Sequence, residues 1–177
     1  DARYEVPLQA PSHVAPRDWQ LVTGLTPKRI DPRGFGRYLA ADYDELVDCP
    51  VTMGRMWRAE FEVRGVAHTW AITGAPANLD GARLLRDTAR IIEAEFDFWH
   101  GPRAQPPWSR YVFMMHAADN AYGGLEHRNS TALVCARQDL PRQGPNGQRP
   151  AAELKATDGY TQLLGLISHE YFHTWNV

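Results

Sequence analysis

The sequence predicts an α+β fold: an all-β N-terminal module over residues 1–75, then a module over 76–177 that mixes strands with two helices. Three observations predict it. Residues 1–75 are punctuated by Pro and Gly and hold no helical periodicity over three turns. Residues 80–100 and those from 157 onward repeat apolar side chains at spacings of three and four. Between these stretches lie apolar runs of strand length, an order of elements that suits α+β better than a doubly wound sheet.

In chain order, Val6-Pro7, Thr26-Pro27 and Asp31-Pro32-Arg33-Gly34 mark turns, and Trp19 to Thr23, Trp57 to Val63 and Ala67 to Ile72 read as strands. Asp42 to Leu46 reads as a short helical turn or loop leading to Cys49-Pro50. Gly74 to Asn78 is expected to join the two modules. Asp80 caps a helix that carries Leu84, Leu85, Thr88, Ile91, Ile92, Phe96 and Trp99 and stops at His100-Gly101-Pro102. Arg110 to His116 is a strand, Asp119 to Gly124 a loop, Leu125 to Ala136 a second strand, and 137–150 a surface loop. Thr157 or Asp158 caps the last helix, whose stripe of Tyr160, Leu163, Leu164, Ile167 and Tyr171 runs to the chain end.

The composition is that of a globular chain with enough apolar residues for a core, 44% hydrophobic and 23% charged. Nineteen basic against 21 acidic side chains, without a block of like charge, leave no footprint of a nucleic-acid or membrane-surface binder. No run approaches the roughly eighteen apolar residues of a spanning helix, so a soluble protein is expected. No leader follows Asp1, which leaves the compartment open between cytoplasm and periplasm; the oligomeric state is open as well. Cys49 and Cys135 read as free buried thiols.

The last helix holds the pentad His169-Glu170-Tyr171-Phe172-His173. Histidines four apart lie one turn above each other on one face, so both imidazoles reach a single ion, and Glu170 sits within reach of a metal-bound water. With 7 His in the chain, about 0.014 such zinc pentads are expected by chance. The plain alternative is a pair of polar residues on the exposed side of an amphipathic helix. Upstream, Gly123-Gly124-Leu125-Glu126-His127 combines two residues that let a backbone pass close to a neighbour with a carboxylate at a strand entrance.

Tyr122 to Thr131 (YGGLEHRNST) and Ser168 to Val177 (SHEYFHTWNV) together resemble the glycyl aminopeptidase family of zinc peptidases, as does Tyr43 to Val51 (YDELVDCPV). The resemblance runs from about residue 19 to the end. It implies a thermolysin-like metallopeptidase domain, with a mixed sheet and an active-site helix, behind an all-β domain, acting on peptides with a free N-terminal glycine or alanine. It implies that His169 and His173 bind one zinc ion and that Glu170 moves a proton from the zinc-bound water to the leaving amine. By similarity to the Gly-x-Met-Glu-Asn strand of related aminopeptidases, Gly123 and Gly124 line the substrate and Glu126 holds its α-amino group. His127 stands where that pattern has Asn, and no role carries over to it. Asn176 reads equally as an outer partner of a zinc ligand or as a helix C-cap, and Trp175 as a wall of the site. Relatives supply a third zinc ligand, a Glu beyond the second histidine, and a transition-state Tyr further on. The chain ends at Val177 before either, so an inactive fragment of a larger enzyme is expected. Two rivals remain: a zinc endopeptidase without an N-terminus anchor, and a non-catalytic binding module.

Overall fold

The structure, a computed structural model, describes residues 4–12, 17–102, 106, 108–144 and 156–176. Most of the N-terminal strands are short and lie at edges. β1 (Tyr4–Leu8), β4 (Gly36–Ala40) and β3 (Thr26–Ile30) form an antiparallel sheet in the order β1-β4-β3, while β2 (Gln20–Thr23) pairs with β5 (Val51–Gly54). Pro7 and Pro27 both fall on edge strands, where a missing N–H is tolerated. The Asp31 turn forms as its residues imply: one carboxylate oxygen accepts from the N–H of Arg33 (2.8 Å) and of Phe35 (3.0 Å), and Gly34 takes the positive φ of 94°. Helix α1 (Tyr43–Asp48) is capped by Asp42, whose side chain accepts from Glu45 N. Leu21, Leu25, Phe35, Tyr38, Ala40 and Cys49 make the small core of this part.

The larger sheet runs β6-β7-β8-β10-β9. β6 (Trp57–Val63) and β7 (Val66–Thr73) form a hairpin whose two turn residues, Arg64 and Gly65, both have positive φ, the turn that matches strand twist. From β7 the chain passes through α2 (Gly81–His100) to β8 (Arg110–Ala118), parallel to β7; β9 (Tyr122–His127) and β10 (Ser130–Ala136) complete the sheet. A 3-10 turn, Arg137–Asp139, follows β10, and the last helix is α3 (Asp158–Phe172).

Both helices pack on one face of this sheet. From α2 come Leu84, Ile92 and Phe96, from α3 Tyr160, Leu163, Ile167 and Tyr171, and from the strands Trp70, Tyr111 and Phe113. Apolar residues on the opposite face, Ala71, Val112 and Met114, bury against Val22 of β2. The sheet is therefore covered by helices on one side and by the β2–β5 ribbon on the other. Both caps expected from sequence form: Asp80 accepts from Arg83 N (2.9 Å) and Thr157 from Tyr160 N (3.1 Å).

Three boundaries differ from the sequence expectation. The division at 75/76 falls inside the large sheet, because β6 and β7 pair onward to β8; Gly74 to Asn78 is the connection from strand β7 to helix α2, which packs on that sheet. Leu125 to Ala136 is not one strand: Arg128 and Asn129 turn the chain, and β9 begins at Tyr122, inside the expected loop, because Gly123 and Gly124 pair with Val134 and Leu133. Helix α3 stops at Phe172 with His173 as its C-cap, so Asn176 is not the cap. Of the expected loop 137–150, residues 145–150 lie outside the described residues. Cys49 and Cys135 are free and buried, and no described helix is long and apolar enough to cross a membrane.

Gly165 is an exposed interior residue of α3, and a methyl group there would meet nothing within 4 Å. Gly165→Ala is expected to stabilise the fold by about 0.5–1 kcal/mol through helix propensity. Urea unfolding measures it, and a destabilised variant would contradict the open placement.

Candidate active site

The rotation of α3 is fixed by its apolar stripe. Ile167 and Tyr171 are fully buried; the Tyr171 hydroxyl donates to Nε2 of His68 (2.9 Å), whose Nδ1 donates to the Val66 carbonyl (2.9 Å). Burial holds His68 down at a pKa of about 4, so it is a neutral, satisfied core histidine. With 167 and 171 inward, the 3.6-residue period turns His169 and His173 to the outer flank and Glu170 toward β9.

The two imidazoles meet edge to face, with Nε2 to Nε2 at 3.3 Å. Two nitrogens at about 2.0–2.1 Å from one tetrahedral ion stand roughly 3.3–3.4 Å apart, so the pair already has the spacing of two zinc ligands. Nδ1 of His173 lies 2.7 Å from the Asn176 carbonyl and donates to it, which leaves the Nε2 lone pair free on the side that faces His169. Asn176 thus acts through its main chain, a contact that reading side chains alone did not reveal. The residues present fit zinc as far as two ligands; among the described residues no group of three His, Cys, Asp or Glu gathers to hold a metal.

Glu170 is 4% exposed, and its Oε2 has no hydrogen-bond partner among the described residues. Burial raises its pKa above the ordinary carboxylate value; the nearby Glu126 charge pushes the same way, while His169 and His173 oppose it. A methyl group on Gly124 would stand 2.6 Å from Cγ of Glu170 and nearer still to its carboxyl group. Gly124 is therefore glycine because the Glu170 side chain occupies the space a Cβ would need.

β9 is an edge strand paired to β10, with Glu126 opposite Thr131 and His127 opposite Ser130. Alternation places Tyr122, Gly124 and Glu126 on the α3 side and Gly123, Leu125 and His127 on the other. The structure brings His169, Glu170, His173, Gly124 and Glu126 together, while Gly123 offers the site only its backbone. Thr131, buried and donating to the Leu125 carbonyl (3.1 Å), joins them; nothing in the sequence singled it out, since its role depends on strand register. Trp175 donates its indole N–H to Nε2 of His100 (2.7 Å) and stacks on Trp99, which ties the segment after α3 to the end of α2.

Residues 1–55 match the Peptidase M61 N-terminal domain family. Over 99% of its length the chain is similar to a crystal structure of an aminopeptidase N family protein from Idiomarina loihiensis, with 34% identity and a TM-score of 0.85. It spans 27% of that protein's chain. A two-domain M1 zinc metallopeptidase bound to L-arginine matches with 15% identity and a TM-score of 0.46, over 96% of this chain and 33% of that one. No curated protein matches.

Proposed function

We propose that this chain is part of a zinc-dependent aminopeptidase that removes N-terminal glycine or alanine from peptides by hydrolysis with a metal-activated water. The observation that carries the reading is the 3.3 Å pairing of His169 and His173, with Glu170 seated against Gly124 of the edge strand. The family match over residues 1–55 and the similarity to an aminopeptidase N family protein support it. The site-bearing part, taken to begin after residue 55 where β6 opens the large sheet, belongs in this reading to a thermolysin-like catalytic domain.

His169 and His173 would hold the ion, and the Asn176 carbonyl keeps His173 in the ligating tautomer. Bound zinc lowers the pKa of water and polarises the scissile carbonyl. Glu170 takes a proton from the attacking water and returns it to the departing amine; burial, by raising its proton affinity, suits it to both steps. The open edge of β9 accepts an extended peptide as a further strand. Glu126, on the α3 side of that strand, accepts the free α-ammonium in a charge-assisted hydrogen bond and so sets the cut one residue from the chain end. Because catalytic zinc takes three protein ligands, the 177 residues alone are proposed to bind it weakly and to be inactive.

The test compares zinc content and glycyl-peptide hydrolysis of this chain with a version extended toward the length of its structural relative. Zinc and turnover in the extended protein alone are expected; stoichiometric zinc in neither would favour a non-catalytic binding module. In the active protein, Glu126→Ala is expected to lower the preference for free over acetylated N-termini by at least about tenfold. An unchanged preference would favour an endopeptidase.

A further inference from the structure

Strand β9 carries Glu126, the proposed amine anchor, yet it is an edge strand, and among the described residues its outer side pairs with no other strand. Its C-terminal end is gripped from the other part of the molecule. Asp48, the last residue of α1, places one carboxylate oxygen 3.2 Å from Nδ1 of His127 and accepts the Arg128 N–H at the other (3.1 Å). The turn that follows is held as well: Asn129 Nδ2 donates to the Gly24 carbonyl (3.0 Å), an oxygen also taken by Arg110. Gly24 has no room for a side chain, since Asn129 Oδ1 lies against it.

We infer that Asp48 and His127 are positioning residues: through them the N-terminal part clamps the end of β9 and fixes where Glu126 stands relative to Glu170. His127 points away from α3 and its side chain is 13% exposed, so it reaches no substrate on the α3 side; Glu126, one residue earlier, points toward it. Moving the His127 backbone therefore moves the anchor. Two hydrogen bonds accepted by one carboxylate, one from a side chain and one from a backbone N–H, control both the position and the twist of the strand end. This inference gives His127 a function that its position in the family pattern did not supply. Its kinetic consequence rests on the aminopeptidase reading; the structural clamp does not.

Asp48→Asn and His127→Gln test it in the intact protein, the former keeping an acceptor for the Arg128 N–H. Hydrogen exchange of the β9 amides, which needs no activity, is expected to quicken about tenfold while α2 stays protected, because a strand end loosens locally. KM for free-amine peptides is expected to rise about tenfold with kcat within a factor of two, and the preference for free over acetylated substrates to fall. Exchange at β9 equal to wild type in both variants overturns the clamp; quickened exchange with KM unchanged overturns its role in positioning Glu126. A wild-type protein without preference for free N-termini refutes the aminopeptidase reading, and the exchange result still decides the clamp. Melting temperatures separate a local effect from general unfolding.

Discussion

In the extended protein that the proposed function takes to be active, Gly124→Ala is expected to lower peptide hydrolysis about 10²- to 10³-fold, the range lost when a general base is misplaced. The added methyl would collide with Cγ of Glu170 at 2.6 Å and with the carboxyl group beyond it. On one side stands a strand backbone tied to β10, on the other a helix pinned by Tyr171 and Ile167, so the Glu170 side chain is the part that gives way. Once displaced, its carboxylate would no longer face the water that the proposed site would hold beside His169 and His173. Metal affinity should change little, because the three atoms nearest the added methyl all belong to Glu170 and none to an imidazole. The loss should appear in kcat more than in KM. Glu170→Gln removes the same group chemically, so the double variant should be no worse than the poorer single one, which is the behaviour of residues acting as a unit. Activity of Gly124→Ala within threefold of wild type would show that Glu170 is not the proton carrier, or that it tolerates the shift.

Much of the molecule was legible because local rules and packing agree. Asp80 and Thr157 start their helices as capping chemistry requires, and α2 and α3 bury the stripes that their periodicity marks. The pentad was legible for the same reason: its spacing is a helix property, and the helix is amphipathic. What stayed hidden depends on partners distant in sequence. The β9–β10 turn at Arg128-Asn129 has no Gly or Pro, and it is held by Asp48 and by the Gly24 carbonyl, far upstream. The reason for Gly124 also lies elsewhere, in Glu170, 46 residues on. The assignment of β6 and β7 to the large sheet was invisible because alternation shows that a strand is half-buried, not which neighbour it pairs with. Asn176 was singled out as an outer partner of a zinc ligand or as a helix C-cap; its contact with His173 is made by its carbonyl, which every residue carries, so the side chain does not mark it.

Glu95→Gln is expected to change how stability depends on pH. Glu95 lies on the buried face of α2, 7% exposed; its Oε1 accepts from Ser168 Oγ (2.8 Å), while Oε2 has no hydrogen-bond partner among the described residues. Burial lifts its pKa from 4.5 to about 7, with the Ser168 hydrogen bond pulling weakly the other way. A carboxyl that binds its proton more tightly when folded than when unfolded favours the fold in acid. That contribution is complete below the unfolded value of 4.5 and is lost as pH rises through about 7. The whole excursion amounts to on the order of 3 kcal/mol, since a tenfold change in proton affinity is worth about 1.4 kcal/mol. Gln keeps the shape and the acceptor for Ser168 but has no proton to lose, so the wild type should lose stability against Glu95→Gln between pH 5 and pH 8. Urea unfolding of both proteins across that interval gives the difference directly, and parallel curves would mean that Glu95 is ionised in the fold throughout.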